Sequence, residues 1–209
     1  MDVPWASARH GRGLLLLRAE AGVVARWASR GLVAARVVPL PGWTAVLPAE
    51  PLSRALPPYD DALTVLAAQP VTPRLRASFG VFAIDGRAVV TVRREGWRTV
   101  QRWLVWEPGR GVVRTPALRL ARPGDLVAAA HATSRGVDRE VSALLRDGSA
   151  DPLELLADLM GLLGLPGAGL LATDPGGEVV EPAVRGVARF NAFVLEEARH
   201  RAEQEEETP

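Results

Sequence analysis

The sequence predicts an α+β protein: an N-terminal β-α-β-β-α-β antiparallel sheet in ferredoxin-like order, extended by hairpins and followed by a helical C-terminal subdomain. Three observations carry this expectation. β-rich apolar runs alternate with two helix-spaced stretches up to residue 84, Asp85-Gly86 separates two strand-like runs, and the apolar period lengthens from two to near 3.6 beyond Pro123.

Residues 13–18 form a short apolar run built on Leu14, Leu15, Leu16 and Leu17. Four leucines fall far short of the ~20 apolar residues that cross a bilayer, so no membrane partner is expected. Residues 19–30 have helical spacing at Val23, Val24 and Trp27, with Gly31 placed as a C-cap. Residues 32–40 and 43–47 predict two strands about the Pro41-Gly42 turn. Pro57-Pro58 breaks the chain ahead of a helix holding Leu63, Val65 and Leu66, with Asp60 or Asp61 at its cap.

Residues 77–93 predict a hairpin, because Asp85-Gly86 is the pair that a type I′ turn demands. That register sets Ile84 opposite Arg87 and Phe82 opposite Val89. A second hairpin is expected from 99–106 back through Val112 and Val113, by way of Pro108-Gly109-Arg110-Gly111. Farther on, Val137, Val141, Leu144 and Leu145 share a helix face ahead of Gly148. Asp151-Pro152-Leu153-Glu154 has a capping acid, a proline at the first helical position and a glutamate in the first turn. Asp174-Pro175-Gly176-Gly177 reads as a turn, and Val184, Val187, Phe190, Asn191, Val194, Leu195 and Ala198 stripe a final helix.

Charge divides the chain. Residues 1–124 carry 18 Arg against 8 acids, and residues 125–209 carry 7 Arg against 16, so about +10 precedes about −9 within a net charge of +1. Such asymmetry fits either a polyanion-binding face with an acidic counterpart or two regions docked on each other. The expected organisation is an Arg-rich α+β domain over 1–120, an acidic helical subdomain over 121–202 packed on it, and a disordered acidic tail over 203–209. Every basic residue is Arg, and Ile84 and Asn191 are the sole Ile and Asn, a composition that GC-rich coding produces without selection for function.

Composition removes several chemistries. With no Cys, thiolate nucleophiles, disulfides and the usual structural zinc sites are excluded. With no Lys, the glycine-containing stretch at 161–169 cannot complete a Walker loop, and it follows no strand of a βαβ unit. No cofactor is expected. His10, His131 and His200 are widely spaced and form no local metal motif. His131-Ala132-Thr133-Ser134 brings a base and hydroxyls into one loop, which makes a hydrolase using His131 an alternative. Ser134 sits where a helix cap belongs. Asp60-Asp61 are neighbours that do not face each other on a helix, which suits capping better than paired-carboxylate catalysis. No catalytic or metal-binding residue is assigned.

One segment stands out. Residues 93–114 hold Arg93, Arg94, Arg98, Arg102, Arg110 and Arg114 with Trp97, Trp103 and Trp106 and only two acids. Arginines between aromatics can hold single-stranded nucleic acid, with rings stacking on bases and guanidinium groups on phosphates. Strand alternation, however, puts Trp97, Trp103 and Val105 on one face and Arg98, Arg102, Leu104 and Trp106 on the other. The leading expectation is a cytoplasmic, non-catalytic binding or adaptor protein that works through a protein surface, as a homodimer through its C-terminal helices. Nucleic-acid binding by Arg93, Arg94, Trp97, Arg98, Arg102, Trp106, Arg110 and Arg114, opposed by the acidic C-terminal part, is the second.

Overall fold

In a computed structural model the chain forms an eight-stranded sheet between two layers of helices; residues 11–206 are described, apart from 76, 97 and 98. His10, Trp97 and Arg98 therefore lie outside the described residues. The strands are β1 Arg12–Leu17, β2 Ala35–Leu40, β3 Trp43–Pro48, β4 Ser78–Ile84, β5 Arg87–Arg93, β6 Arg102–Glu107, β7 Gly111–Val113 and β8 Val179–Val180. The helices are α1 Ala21–Ala28, α2 Ala62–Ala68, α3 Pro123–Ala130, α4 Val137–Leu144, α5 Pro152–Leu162 and α6 Val184–Glu206.

The sheet runs β7-β6-β5-β4-β1-β3-β2-β8, and each neighbouring pair is antiparallel. Its central stretch β4-β1-β3-β2, with α1 and α2 as the two connections, is the ferredoxin-like arrangement. The hairpin β4–β5 has the expected register, Ile84 opposite Arg87 and Phe82 opposite Val89. Asp85 at φ 51° and Gly86 at φ 69° adopt the left-handed conformations that a type I′ turn requires.

The four-leucine run becomes the central strand β1, buried on both faces, which explains why it does not alternate with polar residues. Leu14 and Leu16 join a core with Phe79, Val81, Val90, Leu104 and Trp106, covered by α3, α4 and α5. Leu15 and Leu17 face the other way, into a core with Phe82, Ile84 and Val89 beneath α1 and α2. Full burial of each Leu contributes ~1.5–3 kcal/mol, so β1 anchors both layers. The 121–202 region thus supplies the helices of one entire layer, through Leu126, Val141, Leu155, Leu156 and Leu159.

Caps follow the local sequence. Asp61, rather than Asp60, accepts the Thr64 amide hydrogen at 2.7 Å and starts α2. Asp151 accepts from the Leu153 amide at 2.8 Å, with Pro152 at the first position of α5. The Arg122 amide donates to Asp125 Oδ2 at 3.0 Å at the start of α3. Helix α1 stops earlier than expected: Ser29, not Gly31, is its C-cap. Gly31 instead lies against the amide end of the Gln69 side chain, where a Cβ would require that side chain to move.

Two further differences concern the C-terminal region. β8 extends the sheet by pairing Ala35 with Val180 and Arg36 with Val179, a two-residue strand too short to leave a periodic signal. Helix α6 runs to Glu206, four residues into the stretch expected to be a disordered tail over 203–209. The physical reason is local: Arg201 pairs with Glu197 at 3.0 Å and His200 with Glu203 at 3.4 Å, both at helical spacing.

The Phe82 ring lies across two glycines of neighbouring strands. A Cβ at Gly13 would stand 2.6 Å from Phe82 Cδ1 and 2.6 Å from the Val81 carbonyl oxygen, and one at Gly80 would stand 2.5 Å from Phe82 Cε2. Gly13 directly opposes Phe82 across the β1–β4 ladder, so the backbone cannot easily give way. Gly13→Ala is expected to destabilise the fold by ~1–3 kcal/mol through overpacking, read as a lower urea midpoint with unchanged slope.

Candidate functional site

The described arginines of the 93–114 segment do not all share one surface. Arg93, at the end of β5, is 5% exposed and points toward the α1–α2 layer, donating to the carbonyls of Thr72 at 3.5 Å and Gly96 at 3.4 Å. Burial there holds its pKa below the ordinary guanidinium value. Arg94 and Arg102 point to the opposite layer and converge on Asp125, at 3.9 and 3.6 Å, while Arg102 also donates to the Leu120 carbonyl at 3.3 Å. Arg110 sits in the β6–β7 turn and pairs with Glu107 at 2.6 Å. Glu107 is shared with Arg87 at 2.8 Å. Arg114 is exposed beyond β7.

The tryptophans behave likewise. Trp106 is fully buried in the α3–α5 core, and Trp103, half-buried, packs toward α1 and α2. The structure therefore brings together Arg94 and Arg102, and separates both from Arg93, Trp106 and Arg110. The outer edge of β6 is covered too, by β7 at one end and at the other by residues 119–121, where the Trp103 amide donates to Arg119 and the Ala121 amide to Trp103, each at 2.7 Å.

His131 is the left-handed C-cap of α3, with φ 56°. Its Nε2 lies 3.9 Å from a Glu95 carboxylate oxygen, and it makes no hydrogen bond to Ser134. Among the described residues no group of three His, Cys, Asp or Glu is placed to hold a metal ion. No helix among them is long and apolar enough to cross a membrane. A hollow of about 290 Å³ beside the start of β1 contains charged groups, yet each is engaged. Arg12 donates to the Ala172 and Leu171 carbonyls, Asp61 caps α2, Asp174 pairs with Arg36 at 2.9 Å and Glu50 with Arg54 at 2.9 Å.

A surface that sequence patterning did not single out forms where α6 meets residues 52–60. This loop closes on itself: Ser53 Oγ donates to the Tyr59 carbonyl at 2.6 Å, and the Ser53 amide donates to that of Asp60 at 2.8 Å. Asn191 fastens α6 to it, accepting the Leu56 amide hydrogen at 2.9 Å and donating to the Arg54 carbonyl at 3.2 Å. Tyr59 meets Phe190 edge to face at 5.3 Å between centroids, and Phe190 is followed by Phe193 at 6.5 Å. Val194, one turn beyond Phe190 on α6, is buried. Glu181, just before α6, reaches Arg54 at 3.2 Å.

Only one narrow stripe of α6 is consumed by docking. Val184 is 82% exposed, Phe193 57% and Leu195 50%, and Leu52, Leu56 and Tyr59 in the adjoining loop are also exposed. These are six of the eight large hydrophobic side chains exposed among the described residues. A single exposed apolar side chain is unremarkable, whereas here six fall on one helix and one loop. The sequence signals were the apolar stripe of the final helix, expected to serve a dimer, and Asn191, the chain's sole Asn, lying within it; nothing marked residues 52–60 as its neighbour. Comparison with protein-family models, with curated proteins and with solved structures returns no match to this chain.

Proposed function

We propose that this chain is a non-catalytic binding protein acting through the surface of α6 and the 52–60 loop, and that a second copy of the chain is its partner there. The observation that carries the reading is the exposure of large apolar groups on both flanks of the docked stripe of α6: Phe193 beside Phe190 and Tyr59 on one side, Val184 and Leu195 on the other, with Leu52 and Leu56 exposed in the adjoining loop. Large aromatic and aliphatic groups of this kind are what the buried centre of an interface uses.

Charge along α6 favours self-association. Its first half carries Arg185 and Arg189 and no acid, whereas its second half carries Glu196, Glu197, Glu203, Glu205 and Glu206 against Arg199 and Arg201. An antiparallel two-fold pairing sets each basic half against an acidic half, the self-complementarity that a symmetric dimer needs. Val184, Ala188 and Leu195 lie on one flank of the helix, beside the docked stripe, and supply the apolar contact.

Sedimentation equilibrium of the full chain tests this, with Phe193→Glu and Leu195→Glu as variants. Both side chains are exposed, so neither change alters the core. Leu195→Glu, on the flank placed at the dimer contact, is expected to weaken the dimer by about 2 kcal/mol or more, near thirtyfold in Kd, and Phe193→Glu, on the opposite flank, to change it little. A chain that remains monomeric up to about 100 µM overturns self-association and leaves the same surface for a different protein. A dimer indifferent to Leu195→Glu, or one lost through Phe193→Glu alone, removes this flank of α6 from the interface.

A further inference from the structure

We infer that the face built by α1 and the 3₁₀ turn Pro73–Leu75 binds single-stranded nucleic acid, at a site distinct from the α6 surface and touched by the 93–114 segment only through Arg93, which donates to the Thr72 carbonyl. Two adjoining grooves of about 550 and 590 Å³ open there and share Val23 and Arg74. The first has Arg26, Arg30 and Arg74 at its rim above Val23, Trp27 and Leu75. The second has Arg18 and Arg74 above Val23, Leu40 and Trp43, with Glu20 as its one acid.

These four arginines differ from those that ion pairs consume; Arg114, Arg119, Arg135, Arg139, Arg185, Arg189 and Arg199 are likewise unpaired among the described residues, but none of them lines either groove. Arg36, Arg54, Arg87, Arg94, Arg102 and Arg110 each have a carboxylate partner. Among the described residues Arg18, Arg26, Arg30 and Arg74 form no ion pair and no side-chain hydrogen bond, and Arg26, Arg30 and Arg74 are exposed. Arg26 and Arg30 stand four apart, a spacing at which like charges repel along a helical turn. The negative end of α1 compensates part of that cost for these two. It does nothing for Arg18, which precedes the helix, or for Arg74, which comes from another segment. A phosphate chain laid across the rim relieves all four.

The floors choose among anions. The second groove combines the half-buried Val23, Leu40 and Trp43 with a guanidinium rim, which suits a nucleobase below and its phosphate above, while Trp27 and Leu75 in the first are closed into the core. Inorganic polyphosphate or an acidic peptide would leave the half-buried Val23, Leu40 and Trp43 uncovered. A groove of this volume admits a base-sized group. Guanidinium forks match phosphate oxygens two at a time, so arginine is the fitting residue for the rim.

Fluorescence anisotropy on the full chain, with labelled random 12-mer single-stranded DNA and RNA, tests the inference. Engagement of three or four phosphates predicts a roughly twenty- to fiftyfold fall in affinity between 50 and 200 mM salt. Arg26→Gln and Arg74→Gln are each expected to weaken binding severalfold and to lower the salt slope by about 0.7, with the far-ultraviolet spectrum unchanged. Arg114→Gln, at the opposite end of the sheet, is expected to bind as the parent does. Absence of binding overturns the inference, as does loss of binding in Arg114→Gln with Arg26→Gln and Arg74→Gln unaffected. It also fails if polyphosphate or polyglutamate competes as well, charge for charge, as unlabelled oligonucleotide.

Discussion

Trp106→Ala is expected to remove about 3–5 kcal/mol of folding stability, a large share of the ~5–15 kcal/mol that keeps a domain folded. The residue sits on β6 opposite Ala88, fully buried, with its ring in the core beneath α3, α4 and α5. The small partner across the ladder makes room for the indole, so truncation leaves a cavity that no neighbouring strand residue can fill. Trp106→Phe separates volume from polarity. Trp106 Nε1 has no hydrogen-bond partner among the described residues, and an unmet buried donor costs ~1–3 kcal/mol. Removing that N–H offsets much of the lost contact area, so the phenylalanine variant is expected to cost less than ~1.5 kcal/mol. Denaturant titration followed by far-ultraviolet circular dichroism compares the two without depending on indole fluorescence. Equal losses in both variants would show that the indole nitrogen contributes stability.

The contrast between legible and hidden features follows from the range of the interactions. The β4–β5 register was readable because Asp85-Gly86 fixes it within two residues, and α5 was readable because Asp151 and Pro152 are both part of the helix start. The arginines show the opposite case. Those between 93 and 114 are close in sequence, but strand alternation and separate carboxylates scatter them: Arg93 turns to one layer, Arg94 and Arg102 to the other, Arg110 to the edge. Arg18 and Arg74 are far apart in sequence and come together because Arg18 follows β1, Arg74 precedes β4, and those strands are neighbours. The charge asymmetry was visible from composition alone, and part of it is used between the two regions. Arg36 pairs with Asp174, Arg54 with Glu181, and Arg94 and Arg102 lie by Asp125. Exposed pairs contribute only ~0–1 kcal/mol each, so they orient the contact while apolar burial holds it.

That distinction predicts the behaviour of a shortened chain. A chain ending at residue 121 keeps every strand from β1 to β7 and both helices of one layer, but it loses α3, α4 and α5. Leu14, Leu16, Phe79, Val81, Val90, Leu104 and Trp106 would then face water. At ~1.5–3 kcal/mol for each large side chain, that exposure exceeds the whole net stability of an ordinary domain. The shortened chain is therefore expected to aggregate or to lack cooperative unfolding. The full chain is expected to melt in one transition, identical by tryptophan fluorescence and far-ultraviolet circular dichroism, because both layers close on the same β1 leucines. Two resolved transitions, or a soluble shortened chain with a sharp melt, would make the arginine-rich part independent of the acidic helices. The helical layer would then be a removable cover over an apolar sheet face rather than half of the core.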